Sequence, residues 1–167
     1  MNRTLSALAL ASAVAFPLTA SAREIGEVDT VYKLVGPNHK IKIEAFEDPN
    51  IHGVTCFVSR PVSGGISGAI GLAEDPSDVS IACRQTGAIE FSSAISGNPQ
   101  KPDEVFNEKR SMLFKSLHIS RFFDKASNSL VYLTWSDKLF DGSPKNSISA
   151  VTLMPWGTNV PNSPKFK

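Results

Sequence analysis

Two cysteines, Cys56 and Cys83, are the only ones in a chain of 167 residues. Each sits inside an apolar, β-prone run, "VTCFVSR" and "VSIACRQ", and the densest glycine run of the chain, "SGGISGAIGLAED", lies between them. If the two sulfurs join, two strands are fixed together and everything between them becomes an excursion closed at its base. Whether they join depends on the compartment.

The first 22 residues, "MNRTLSALALASAVAFPLTASA", read as a secretory signal. Arg3 supplies the positive start, Leu5 to Phe16 the apolar run, and Ala20-Ser21-Ala22 the small-residue cleavage pattern, so cleavage is expected after Ala22. The apolar run is shorter than the roughly 20 residues a permanent span requires. No later run is long enough, so no membrane insertion of the mature chain is expected. A soluble, exported product is expected. Outside the cytosol a cysteine pair forms one disulfide more often than two free thiols. Closing Cys56 to Cys83 would remove roughly 3–4 kcal/mol of unfolded-chain entropy. A redox pair would place its cysteines two residues apart at a helix start, so the bridge is expected to be structural.

The remainder fits a single domain at 23–156, with a loose, polar, proline-rich C-terminal tail at 157–167. Lys and Arg number 17 against 16 acidic residues, for a net charge of +1, with neither sign in long blocks. Nothing offers the basic face that nucleic acid requires. Along the chain, Val28 to Val35 and "KIKIEAF" flank a Gly36-Pro37-Asn38-His39 turn and read as a hairpin. Its alternation is expected to turn Lys40, Lys42 and Glu44 to water and Ile41, Ile43 and Ala45 to the core. Val105 to Phe123 reads as one long β segment covered on both faces. "DKASNS" is a turn, and "LVYLTWSD" returns as the antiparallel partner. "AIEFSSAISG" is ambiguous, a strand followed by a helical turn, and a last strand or short helix follows Asp141–Pro144. The fold class is mainly β: one antiparallel domain, a sandwich or curved sheet, with one or two short helices.

The glycine run, with Gly64, Gly65, Gly68 and Gly71, lacks the spacing and βαβ setting of a dinucleotide fingerprint and the lysine of a phosphate loop. Two plain readings remain: positive φ angles, or close approach of another backbone or a ligand. With Glu74 and Asp75 the run forms a contact loop. Asp75, Pro76 and Asp78 read as the capped start of a helix rather than a calcium loop. Metal candidates are weak and limited to His39, Glu47, Asp48 and His52, with no paired histidine motif. His118 reads as a hydrogen-bonded structural histidine. Neither G-x-S-x-G nor S-x-x-K occurs. No catalytic residue and no cofactor is assigned.

The stretches "EIGEVDTVYKLVGPNHKIKIEAFEDP", "VTCFVSR", "GLAEDPSD", "SIAC", "FKSL" and "SDKLFDGSPKNSISAVTLMPW" together resemble the CreA family of small periplasmic proteins of Gram-negative bacteria. The resemblance runs from about Glu24 to Trp156. It implies export, a single domain and the Cys56–Cys83 pair, and it brings no established activity, ligand or catalytic set. The family name, catabolite regulation protein A, suggests a link to carbon-source or envelope signalling by gene neighbourhood alone. The leading reading is a non-enzymatic accessory or binding protein with a protein or small-molecule partner in the periplasm. The alternatives are a metal-dependent periplasmic hydrolase and a small-ligand sensor for a membrane kinase.

Overall fold

The computed structural model describes residues 22–65, 79–109, 116–140 and 143–167. Eight strands follow one another: β1 (Arg23–Val31), β2 (His39–Glu47), β3 (Ile51–Val62), β4 (Ser80–Phe91), β5 (Asp103–Lys109), β6 (Ser116–Asp124), β7 (Ser129–Phe140) and β8 (Ser143–Thr152). They form two four-stranded antiparallel sheets in plain sequential order, β1 to β4 and β5 to β8. Within each sheet every strand pairs antiparallel with its neighbour in chain order. The expected mainly β, antiparallel class is what the chain adopts. The stretch at 75–78, read as a helix start, lies outside the described residues.

The two sheets close on one core. Val54, Cys56 and Val58 of β3 and Ile81, Cys83 and Ile89 of β4 meet Leu117 and Ile119 of β6, Leu130 and Tyr132 of β7, and Val151 beyond them. Within each strand these residues mostly alternate, as burial of one sheet face requires. Phe46 of β2 stacks on Phe106 of β5 with ring centroids 5.3 Å apart. At the other side the Cys83 amide donates to Ser149 Oγ at 2.8 Å, tying β4 to β8. Cys56 and Cys83 stand directly opposite in the β3–β4 register and are joined as a disulfide.

Two sequence expectations change. The Val105–Phe123 stretch is not one strand. β5 and β6 are separate and pair with each other, Asn107 opposite His118 and Phe106 opposite Ile119. The face assignment of β2 is inverted from Lys40 to Glu44, while Ala45 is buried as expected, 3% exposed. Its register puts Lys40, Lys42 and Glu44 on the face that carries Phe46 and Val58. Ile41 and Ile43 lie on the other face and remain 41% and 37% exposed. The reason is coverage: the second sheet reaches Phe46 but not the beginning of β2. The charges on that face pair across strands, Lys40 with Glu27, Lys42 with Glu24, and the largely buried Arg60 with Glu44.

The 157–167 stretch, loose by composition, lies against the domain. Ile95 and Phe166 form a parallel bridge.

Candidate functional site

The start of the glycine excursion shows what its first two glycines do. The Gly64 amide donates to His39 Nδ1 at 3.1 Å, and the Gly65 amide to the Pro37 carbonyl at 2.6 Å. A Cβ on Gly64 would collide with the main chain of Pro37 and Asn38, and Gly65 has φ of +81°. Close backbone approach holds at Gly64 and positive φ at Gly65. The excursion therefore leaves β3 pressed onto the β1–β2 turn. Gly68, Gly71, Glu74 and Asp75 lie outside the described residues.

The four metal candidates do not converge on one site. His39 opens β2 and Glu47 closes it, roughly 26 Å along an extended strand. His39 already accepts the Gly64 amide. His52 stands opposite Glu90 on the β3–β4 ladder, exposed. Asp48 is buried among other partners. Among the described residues no group of three His, Cys, Asp or Glu side chains is placed to hold a metal.

Asp48 instead belongs to a buried network that the sequence reading missed. Arg121 is 1% exposed. Its Nη1 donates to both Asp48 carboxylate oxygens, and its Nη2 donates to Asp103 Oδ2 at 2.8 Å. Tyr132 Oη donates to Asp48 Oδ2 at 2.8 Å, and the Asn50 amide to Asp48 Oδ1 at 2.9 Å. Asp103 also receives the Ser96 amide and Lys167 Nζ, each at 2.7 Å. Burial opposes the Asp103 charge, but Lys167, the Ser96 amide and Arg121 together hold its pKa below the usual carboxylate value. Burial, followed by the Asp48 charge, pushes the Tyr132 phenol well above its ordinary range, so it remains a donor. A signal for this was present: Arg121 shares parity with Leu117, Ile119 and Phe123, and a buried cation requires a carboxylate.

On the outer face of the second sheet, His118 is clamped. Its Nδ1 pairs with Glu104 Oε1 and its Nε2 with Asp137 Oδ1 at 3.0 Å. The ring stacks on Trp135, centroids 4.1 Å apart and planes 10° from parallel. Partial burial pulls the imidazole pKa down, and the two carboxylates outweigh it, so the pKa stands above the ordinary histidine value. Both ring nitrogens are engaged, which makes this a brace from β5 across β6 to β7. The hydrogen-bonded structural histidine expected from sequence is what the fold contains; its two partners and its aromatic base were not legible.

The least satisfied surface is apolar. On the outward face of β1 and β2, Val28 pairs with Ile41, and Val28 is 62% exposed. Tyr32, Leu34 and Val35 in the following turn are 81%, 106% and 65% exposed. Ile41 and Pro61 continue this surface into an open hollow of about 350 Å³, also lined by Arg60, Val79, Ser80 and Lys145. Arg60 there is held by Glu44. An exposed apolar strip of this extent, next to the pinned start of the glycine excursion, is the kind of surface that marks a binding face.

Against known proteins, a family profile described as CreA protein matches residues 25–156. Protein CreA of Escherichia coli strain K12 is 54% identical over 137 residues, spanning 82% of this chain and 87% of that protein. Protein CreA of Escherichia coli O157:H7 aligns with the same figures. No solved structure matches the chain.

Proposed function

The chain belongs to the CreA family, and from that premise we propose that it is a periplasmic, non-enzymatic accessory protein that binds a protein partner through its β1–β2 hairpin. The observation that carries the reading is the outward apolar face of that hairpin, with Val28, Ile41 and Ile43 on the strands and Tyr32, Leu34 and Val35 at the turn. Leaving such a surface in water forgoes about 25 cal/mol for each Å² of apolar area, which a partner would recover. The disulfide supports export, because thiols in the cytosol are kept reduced. Among the described residues no helix is long and apolar enough to cross a membrane. The signal-like first 22 residues supply the route, and the family name supplies the link to envelope or carbon-source signalling.

A flat sheet face suits a protein surface better than a small molecule, which is usually enclosed. The small-ligand sensor draws its support from the hollow beside Ile41, whose volume lies at the low end for ligand sites. The hydrolase alternative would draw on His39, Glu47, Asp48 or His52; it finds less support here, because His39 and Glu47 stand at opposite ends of β2 and Asp48 is engaged by Arg121.

A photo-crosslinking residue at position 41, expressed in the native host and compared with one at position 84, exposed on β4, tests the proposal. Position 41 is expected to give a discrete adduct with another protein. A Val28→Lys variant of the position-41 protein with unchanged melting temperature should lose that adduct. Recovery of monomer alone from both positions would overturn the reading.

A further inference from the structure

Residues 92–97, between β4 and β5, belong to neither ladder, yet main-chain groups there and at the end of β4 are paired. The Ile95 amide donates to the Lys165 carbonyl at 2.9 Å, and the Lys167 amide to the Ile95 carbonyl at 3.0 Å. The Phe91 amide donates to Asn162 Oδ1 at 3.0 Å. This is a short parallel bridge: the segment supplies main-chain hydrogen bonds to a stretch that no strand pairs, in the manner of strand-type peptide recognition. The side chains add selectivity. The Phe166 ring lies over Gly97, where a Cβ would come within 2.8 Å of it. It also sits 5.6 Å from the Phe123 ring, with the Lys125 ammonium 4.6 Å above its centre. Lys167 reaches Asp103, whose other oxygen is held by buried Arg121. An edge to pair with, a flat aromatic seat and a fixed carboxylate make a socket.

The socket and its occupant fall on opposite sides of the end of the family match. Phe91, Ile95, Gly97, Asp103 and Phe123 lie inside the family-matched segment, which ends at residue 156, and the occupying residues lie beyond it. The occupant is also loosely seated. Phe166 is 42% exposed and Val160 76% exposed. The stretch leading to them spans a hollow of about 180 Å³ lined by Leu153, Pro155, Val160 and Pro164. A segment evolved solely to complete the core would leave less empty space.

We propose that this groove is a docking site for an extended partner segment in which an aromatic side chain is followed by a basic one, and that residues 162–167 occupy it here as a competitor in cis. The chemistry of the partner is read from the seat: main-chain donors and acceptors beside Ile95, a glycine floor under an aromatic ring, and Asp103 facing the cation. The site lies apart from the β1–β2 hairpin and stands whether or not that surface binds a partner.

The experiment uses the full-length protein and a fluorescent synthetic peptide covering residues 160–167, read by anisotropy. A cis segment on a short connection has an effective concentration of about 1 mM. Wild type should therefore bind the peptide about tenfold or more weakly than a Phe166→Ala, Lys167→Ala double variant, whose own segment has lost its anchors. A peptide with alanine in place of the phenylalanine should bind neither protein, and this control cannot perturb folding. Adding Gly97→Val to the double variant should abolish binding. Absence of saturable binding by the folded double variant would overturn the proposal, as would equal binding of the alanine peptide. So would a wild-type dimer by light scattering that the double variant turns into a monomer, since the groove would then serve a second copy.

Discussion

Removing the carboxylate at position 48 tests whether the Arg121 network is what joins the two sheets at their centre. The Asp48 side chain is 0% exposed and that of Arg121 is 1% exposed. In Asp48→Ala, Nη1 of Arg121 loses both acceptors and Tyr132 Oη loses its own. Asp103 still holds Nη2, so the cation is half compensated. Breaking a buried ion pair by deleting one partner costs about 3–5 kcal/mol. That is a large share of a domain stability of about 5–15 kcal/mol. With a urea dependence of about 2 kcal/mol per molar, the unfolding midpoint should fall by roughly 1.5–2.5 M. The assay is urea unfolding followed by circular dichroism at pH 7 with the disulfide intact. A double-mutant cycle with Arg121→Met separates the pair from the cavity. The two changes together should cost less than their sum by about 1 kcal/mol or more, because the uncompensated charge is then gone. A cost for Asp48→Ala below about 1 kcal/mol would refute the reasoning, as would a cycle additive to within roughly 0.5 kcal/mol.

Two further outcomes follow from the described contacts. Replacing Cys56 and Cys83 together by alanine should lower stability by about 3–4 kcal/mol in the chain-entropy account, measured by urea unfolding; thiol titration of the exported wild type should find no free thiol. His118 has its folded pKa raised above the unfolded value, so its contribution is complete below pH of about 6.5 and declines as pH rises through the folded pKa. The melting-temperature advantage of wild type over His118→Gln should therefore shrink as pH climbs above that point, and a gap independent of pH would contradict the clamp.

The site was less legible than the fold, for a reason visible in particular residues. The metal candidates were grouped because Glu47, Asp48 and His52 are close in sequence, but a strand end and a turn send them in different directions. Asp48 goes inward to a cation 73 positions away. Glu104, His118 and Asp137 lie far apart in the chain and meet only because β5, β6 and β7 are neighbours at a given register. The inverted face of β2 has a similar origin. Alternation between Lys40 and Phe46 is a local property, whereas which half is covered depends on how far the second sheet extends.

What the sequence by itself determined was local and covalent. Period-two alternation, turn residues at Gly36-Pro37-Asn38 and at 124–129, and two cysteines in apolar strand-like runs pointed to antiparallel strands and one bridge, because strand geometry and turn chemistry act over a few residues. Tertiary structure alone decided which faces became interior, which carboxylates Arg121 found, and that residues 162–167 would complete the edge beside Ile95. Those outcomes depend on sheet registers and on distances between segments remote in the chain, which no local pattern encodes.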